Sequence, residues 1–155
     1  MGVAVRDNNG HSLVVGLDKT HSGKAKFCST YNSADLCSTS TTEFNGWENT
    51  QAVKHEDGVA KVAAAYTFAD GQNGYIGSYA EWNLVKSRKD AINNALTILG
   101  RSILDYQYWT STYSGNQGFM WAIASDYTFN TSSKMFSNDR NGGRIFAKLP
   151  EGLEW

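Results

Sequence analysis

Proline is almost absent from this chain of 155 residues, which contains a single one, Pro150, against 15 glycines. The turns must therefore be formed mainly by Gly, Asn, Asp and Ser. An excess of either charge is also lacking, because 14 basic and 15 acidic residues leave a formal net charge of −1. The basic residues are scattered along the chain, so we predict that it does not bind nucleic acid.

Long apolar segments are missing as well. No run is long enough to span a bilayer, and none has the pattern of a signal peptide. Arg6 occupies the position at which an N-terminal myristoylation motif requires Ser or Thr. We therefore expect no membrane insertion, and either a domain cut from a longer protein or a protein exported by another route.

The motifs of catalytic sites are not present. The three histidines, His11, His21 and His55, are widely spaced, and there is no Gly-x-Ser-x-Gly, Walker loop or His-Glu-x-x-His. The adjacent carboxylates of Glu56 and Asp57 fit a solvated helix face better than an acid–base pair. The sequence predicts that the chain is not an enzyme, has no catalytic residues and uses no cofactor.

Cysteine is scarce, and the two cysteines, Cys28 and Cys37, lie in a polar segment rich in Ser and Thr. Two interpretations stay open for them: a disulfide that closes a short loop, or two unpaired thiols. Zinc binding with His21 is disfavoured because the spacing matches no compact ligand pattern. No acidic cluster offers the roughly six to eight oxygen ligands that calcium takes. We predict no metal ligands, with a structural calcium ion as the open alternative.

The chain does contain enough apolar material for one core. Hydrophobic residues make up 41%, among them five Trp, eight Tyr and seven Phe. The length is that of an ordinary domain, so residues 1–155 are predicted to form a single one. The abundance of Tyr, Ser, Gly and Asn is typical of binding surfaces, in which rigid aromatic rings supply contact area and small polar side chains supply hydrogen bonds.

The first half of the chain predicts a β-hairpin followed by helices. Residues 3–6 and 11–17 have the pattern of strands, and Asn9-Gly10 between them is a hairpin signal. Asn49 or Thr50 is the predicted N-cap of a helix whose apolar stripe extends to Tyr66.

A second helix is predicted from a capping box, in which Ser78 is the N-cap and Glu81 follows three residues later. A further helical segment begins near Asp90 and ends before Gly100, a residue type suited to the left-handed conformation after a helix. Short strands are predicted near residues 108–111, 119–124 and 144–149. This order of elements predicts an α+β fold with the helices segregated from the sheets.

Four blocks of sequence follow one another in an order that resembles a known family. They are residues 45–50 (NGWENT), 74–81 (GYIGSYAE), 108–112 (YWTST) and 143–146 (GRIF). Over nearly its whole length the chain resembles the C-type-lectin-like module found at the C-terminus of legionella collagen-like proteins and in many gut-bacterial and phage proteins. The resemblance implies a C-type-lectin-like fold, with two helices packed on small antiparallel sheets and long C-terminal loops. Gly77 departs from the family, which usually has proline there.

The C-terminal third is similar to a subset of this family, the variable proteins of diversity-generating retroelements, in which asparagine codons are copied with errors at adenines. The resemblance implies a scaffold over roughly residues 1–109 and a variable ligand-binding region over roughly residues 110–144. Such copying does not produce Trp, Met or Lys, so Trp109, Met120, Trp121 and Lys134 are interpreted as scaffold. The predicted ligand contacts are Tyr113, Ser114, Asn116, Phe119, Ser125, Asp126, Tyr127, Phe129, Asn130, Phe136, Asn138, Asp139 and Asn141.

The resemblance implies a role in adhesion or receptor recognition. The loops of a phage tail protein or a bacterial cell-surface protein would contact a protein or glycan ligand on a host or neighbouring cell, commonly as a homotrimer. The calcium-dependent sugar site of C-type lectins needs Glu-Pro-Asn or Gln-Pro-Asp, which a chain with Pro150 alone does not have. Formylglycine-generating enzymes share the architecture distantly, but their paired active cysteines lie near the C-terminus, whereas both cysteines here precede residue 40.

Two alternatives accompany this prediction. The chain could be a non-variable structural or assembly module of a surface fibre, in which the polar loops are merely solvated. Within the recognition hypothesis, aromatic residues such as Phe129 and Phe136 could pack inward instead of facing a ligand.

Overall fold

The computed structural model describes residues 2–20, 25–29, 34–132 and 141–149. Within these ranges the chain forms four helices and seven strands. In chain order they are β1 Gly2–Arg6, β2 Ser12–Lys19, α1 Gly46–Val53, α2 Val59–Ala65, β3 Tyr75–Ile76, α3 Tyr79–Ser87, α4 Lys89–Ile98, β4 Tyr108–Tyr113, β5 Met120–Ile123, β6 Phe129–Ser132 and β7 Arg144–Ala147. The predicted α+β class is confirmed, whereas the expectation of two helices was too low.

The strands form two small antiparallel sheets. A four-stranded sheet has the order β1-β2-β7-β3, and a three-stranded sheet has the order β4-β5-β6. The predicted hairpin is confirmed, since β1 pairs with β2 and Val3 lies opposite Val15. Its turn is held by Asp7, whose Oδ1 accepts hydrogen bonds from the backbone N–H groups of Asn9 and His11. Strand β7, near the end of the described chain, completes the four-stranded sheet by pairing with both β2 and β3.

The prediction of one helix from Asn49 or Thr50 to Tyr66 was wrong, because the structure has two helices there. Helix α1 begins earlier, at Gly46, and α2 begins after Gly58. Gly58 has a φ of 150°, and a Cβ atom there would overlap the carbonyl oxygen of Phe27. Only glycine fits this backbone conformation and this close approach, so the apolar stripe is interrupted. Thr50 does not cap α1; its hydroxyl donates instead to the Gly46 carbonyl from inside the helix.

The signals at both ends of the next helical stretch are largely confirmed. Ser78 caps α3 in a capping box with Glu81. Helix α4 starts after Arg88, so Asp90 lies in its first turn instead of capping it. Gly100 has a φ of 69°. The N–H of Gly100 donates to Thr97 and that of Arg101 to Leu96, which is the hydrogen-bond pattern of a Schellman motif.

The three-stranded sheet separates two apolar clusters. Trp109 and Met120 belong to one of them, together with Phe27, Val53 and Ile76. The other is centred on aromatic side chains, where Trp82 stacks on Tyr108 at 5.1 Å between ring centroids and lies 4.8 Å from Phe146. Gly77 packs directly on the Phe146 ring, and any Cβ there would overlap it. This close approach favours glycine at position 77.

A buried arginine connects the two sheets. Arg144 in β7 is inaccessible to solvent, and its guanidinium donates hydrogen bonds to the carbonyls of Gly16, Leu17 and Ser102 at 2.8 to 3.0 Å. It also lies 3.4 Å from the Tyr108 hydroxyl in β4. Several carbonyl acceptors replace the water that a buried guanidinium loses, which offsets much of its desolvation cost.

No helix in the part of the chain that the structure describes is both long and apolar enough to cross a membrane.

Candidate recognition surface

Burial decreases across the three-stranded sheet from β4 to β6. All six residues of β4 are buried, and in β5 only Trp121 is partly exposed. In β6, Phe129 is half-buried, Asn130 and Thr131 are exposed, and Ser132 is buried. Among the described residues β6 pairs with β5 alone, so it is the outer strand of this sheet.

The connection between β4 and β5 presents an aromatic side chain on a hydrogen-bonded loop. The hydroxyl of Ser114 donates to the Phe119 carbonyl at 2.7 Å and accepts from the N–H of Asn116 at 3.1 Å. The N–H of Phe119 donates back to the Asn116 carbonyl at 3.0 Å. Asn116 is exposed, and 37% of Phe119 is accessible to solvent. The loop therefore holds an apolar ring at the surface in a backbone that is already ordered.

The turn between β5 and β6 is anchored to helix α4 by Tyr127. Its hydroxyl donates to the Leu104 carbonyl and accepts from the Asn93 side-chain amide, both at 2.8 Å. Tyr127 has a φ of 65°, a conformation that is uncommon for residues other than glycine. Its ring packs against the second apolar cluster. Tyr127 thus has a structural function in this turn, whatever else it contacts.

Ser125 and Asp126 are exposed next to this anchor. The Asp126 carboxylate accepts hydrogen bonds from the hydroxyl and the N–H of Thr128, at 2.6 and 3.1 Å. These hydrogen bonds, the one from the Thr128 side chain above all, lower the pKa of Asp126. The turn therefore presents a small hydroxyl and an ionised carboxylate to solvent.

The predicted contacts fall into groups at opposite ends of the sheet. Because β4, β5 and β6 are antiparallel, the loop with Phe119 and the turn with Asp126 lie at the two ends of β5. Four residues of strand at about 3.3 Å each separate them by about 13 Å. Asn130, in the middle of β6, lies between the two groups along the outer strand.

Two of the predicted contact residues are buried. Tyr113 is 8% exposed, because it ends β4 opposite Met120 and packs into the first apolar cluster. Burial raises the pKa of its hydroxyl, as do a hydrogen bond to Asp35 and the charge of that carboxylate. Asn141 is 1% exposed, and its carbonyl accepts a hydrogen bond from the N–H of Ala25. Neither residue contributes to the exposed surface of the described structure.

Three further predicted contacts, Phe136, Asn138 and Asp139, lie outside the described residues, as does Lys134 of the predicted scaffold. The other three residues interpreted as scaffold are described. Trp109 and Met120 are fully buried, and Trp121 is half-buried.

Several aromatic side chains pack against one another beside the outer strand β6, an arrangement that the sequence did not predict. Tyr79, the first residue of α3, stacks on Phe129 with ring centroids 4.0 Å apart, and its ring meets Trp121 edge-on at 5.2 Å. The Lys86 ammonium lies 5.7 Å from the centre of the Phe129 ring. Phe129 therefore packs partly inward, as one of the alternatives held. Tyr79 precedes Phe129 by 50 positions, so no local pattern could have joined them.

The polar block that follows Trp109 joins the sheet to its surroundings. The N–H groups of Trp109, Ser111 and Tyr113 donate to the carbonyls of three loops, at Gly142, Gly77 and Ser38 respectively. The Thr110 hydroxyl donates to the Trp121 carbonyl of the paired strand β5 at 2.9 Å, and the Thr112 hydroxyl accepts from the N–H of Tyr79 at the start of α3 at 2.9 Å. Strand β4 is thus hydrogen-bonded along both edges.

In the described ranges, no group of three or more His, Cys, Asp or Glu side chains could hold a metal ion. Cys37 is a buried thiol whose Sγ lies 3.6 Å from the Asn49 carbonyl oxygen. Burial raises the pKa of this thiol far above its ordinary range. Of the two interpretations left open for the cysteines, the structure has the thiol form at Cys37.

Comparison with known proteins found no match for this chain among family models, curated proteins or solved structures. The structure by itself therefore shows an α+β fold with two small antiparallel sheets.

Proposed function

We propose that this chain is a ligand-recognition domain of the C-type-lectin-like fold, and that the outer side of its three-stranded sheet contacts the ligand. The observation that carries the proposal is the exposed Phe119 ring on an internally hydrogen-bonded loop. An aromatic ring on an ordered loop buries a large apolar area on binding and loses little conformational entropy.

The neighbours of Phe119 suit a recognition surface. The other exposed or partly exposed members of the predicted contact set are polar or aromatic: Ser114, Asn116, Ser125, Asp126, Tyr127, Phe129 and Asn130. Side chains of this kind surround aromatic anchors with hydrogen-bonding groups that help to exclude water. Phe136, Asn138 and Asp139 belong to the same segment of sequence and complete the proposed set.

The extent of this surface favours a protein or glycan over a small molecule. Its two ends lie about 13 Å apart along β5, and an ordinary protein interface of about 800 Å² per partner would cover both. We infer a ligand on a host or neighbouring cell, with the chain displayed on a phage tail or a bacterial surface. Display as a homotrimer would raise the avidity of weak single sites.

Diversification by a retroelement is part of the proposal, and it applies to the exposed members of the predicted set, since Tyr113 and Asn141 are buried. Asn116, Ser125 and Asn130 are exposed, so replacing these side chains leaves the core contacts in place. Trp109 and Met120, which adenine-directed copying could not have produced, are fully buried. A surface that tolerates exchange on a buried frame is what such a mechanism requires.

A display library tests the proposal directly. Asn116, Phe119, Ser125, Asp126 and Asn130 are randomised together, and the library is selected for binding to an unrelated protein. We expect most members to remain folded and binders to be recovered. A matched library at the buried positions Thr110, Ser111 and Thr112 should lose folded protein.

Loss of folding in the surface library, or folded members without binders to any of several target proteins, would contradict recognition by this surface. The second result would favour a structural or assembly module of a surface fibre. In the genome, a near-identical downstream copy of the 3′ segment that differs at adenines, beside a reverse transcriptase, would support diversification. Its absence would contradict that part of the proposal alone.

A further inference from the structure

A cavity of about 300 Å³ opens on the side of the molecule formed by the β1–β2 turn, the start of α1 and the end of β7. Aromatic and charged side chains line it together, among them Phe44, Trp47, Glu48, Glu81 and Lys148. None of these residues belongs to the proposed recognition surface. The volume is at the lower end of the range for small-molecule sites, which begins at about 300 Å³.

The deepest polar groups of the cavity are the hydrogen-bonded pair Tyr75 and Glu81. The Tyr75 hydroxyl donates to Oε2 of Glu81 at 2.5 Å. Oε1 of Glu81 accepts from the N–H groups of Gly46 and Ser78, at 2.8 and 3.1 Å. The tyrosine proton is thus already used, and burial together with the Glu81 carboxylate raises the pKa of Tyr75, so the phenol keeps that proton. At the floor of the cavity, the phenolic oxygen of Tyr75 and Oε2 of Glu81 can therefore still accept hydrogen bonds.

Aromatic rings form the walls above this floor. The Trp47 ring meets Tyr75 edge-on, with centroids 6.3 Å apart. On the other side, Phe44 stacks on the His11 imidazole at 3.9 Å, with the two rings nearly parallel. Glu48 is exposed at the rim. The walls therefore consist largely of aromatic rings, and a carboxylate lies beside them.

The chain's own ammonium group indicates which chemistry these walls attract. Lys148 Nζ lies 5.2 Å from the centre of the Trp47 ring, within the range of a cation–π interaction. Burial raises the pKa of Glu81, whereas the hydrogen bonds from Tyr75, Ser78 and Gly46 lower it and so favour the carboxylate. With that carboxylate ionised, two carboxylates, Glu48 and Glu81, face the single ammonium of Lys148 in the lining, so an additional cation improves the charge balance.

We propose that this cavity binds a small quaternary or methylated ammonium compound, whose cationic head replaces the Lys148 ammonium on the Trp47 ring. A hydroxyl or N–H on the same compound donates to Tyr75 or Glu81. Aromatic rings combined with carboxylates recognise such cations through the ring quadrupole and through charge. This site is independent of the recognition surface, and either proposal can fail without the other.

Choline is the probe for the test, followed by the indole N–H signals of the five tryptophans in ¹⁵N-labelled protein, with Trp47 assigned by W47F. We expect a saturable shift of the Trp47 signal. Lys148→Met removes the competing ammonium and should tighten binding roughly three- to tenfold. Glu48→Gln, at an exposed position, should weaken binding about threefold.

Lys89→Met is the matched control, because Lys89 Nζ lies over the Tyr127 ring at a similar distance, 5.5 Å, and outside the cavity. It should leave choline binding unchanged. The neutral isostere 3,3-dimethylbutan-1-ol should bind at least tenfold more weakly than choline, since it lacks the charge.

Three results would overturn the proposal: no saturable shift of Trp47 in either wild type or Lys148→Met, equal binding of the neutral isostere, or a shift with glucose but none with choline. Melting curves of each variant show whether it is folded. If a substitution at Trp47 or Lys148 disturbs folding, the choline affinity of the Glu48→Gln variant still tests the proposal.

Discussion

Strands β4 and β6 belong to one sheet and have similar compositions, YWTSTY and FNTS, yet their environments are opposite. All of β4 is buried, whereas most of β6 reaches solvent. The two strands also differ in what lies along their outer edges. Carbonyls of three loops, at Gly142, Gly77 and Ser38, accept from the N–H groups of β4. In the described structure β6 pairs with β5 alone. Composition therefore does not distinguish frame from surface here; position in the sheet does.

The largest test of this comparison is Trp109→Ala in β4. Trp109 is fully buried, and its indole N–H donates to the Ala25 carbonyl at 2.7 Å. We expect the free energy of unfolding to fall by about 3–5 kcal/mol, measured by denaturant titration. Asn130→Ala in β6 should change it by less than about 0.5 kcal/mol. Similar losses for both variants would show that β6 is as much a part of the core as β4.

A chemically matched pair sharpens the comparison. Thr110→Val removes the hydroxyl that donates to the Trp121 carbonyl and leaves that buried acceptor without it. We expect a loss of about 1–2 kcal/mol in the free energy of unfolding. Thr131→Val makes the same change at an exposed position of β6 and should stay within about 0.5 kcal/mol of wild type. Equal effects of the two substitutions would contradict the contrast between the strands.

The smallest expected effect is a pH dependence at the β5–β6 turn. The hydrogen bonds from Thr128 lower the pKa of Asp126 in the folded protein. They therefore add stability above the unfolded pKa of about 3.9, and this contribution is lost as the pH falls through the lower folded value. We expect the free energy of unfolding of Asp126→Ala, compared with wild type, to show a weaker decrease below about pH 4.

Unfolding curves between about pH 5 and pH 2 measure the difference. Thr131→Val, which removes an exposed hydroxyl of β6 and no ionisable group, is the control and should keep the pH dependence of wild type. Identical pH profiles for wild type and Asp126→Ala would mean that the Thr128 hydrogen bonds do not persist in solution.

Signals that act within a few residues of sequence were predicted well. The Ser78 capping box and the Schellman ending at Gly100 depend on hydrogen bonds that span three to five residues, so the sequence alone is sufficient to locate them. The same holds for the hairpin at Asn9-Gly10. By contrast, the break at Gly58 depends on the Phe27 backbone, about thirty positions earlier, and the apolar pattern continues across it.

The candidate site was predicted only in part. The predicted segment contains exposed residues such as Asn116 and Asn130, but the sequence could not separate these from Tyr113 and Asn141, which are buried. Tyr, Ser and Asn occur equally well in a frame that satisfies their polar atoms and on a surface. Distant contacts, such as that of Tyr113 with Met120 across the bulged strand pair, decide between the two.

The sequence by itself determined the α+β class, the hairpin turn, the Ser78 capping box, the helix end at Gly100 and the near balance of charge. These follow from hydrogen bonds between near neighbours and from composition, neither of which requires the chain to be folded. The tertiary structure decided which polar residues are interior, how the predicted contacts are divided between two ends of a sheet, and that Phe44, Trp47 and Glu81 surround one cavity. Those arrangements depend on side chains that meet only after distant segments have packed, and no local pattern in the sequence records them.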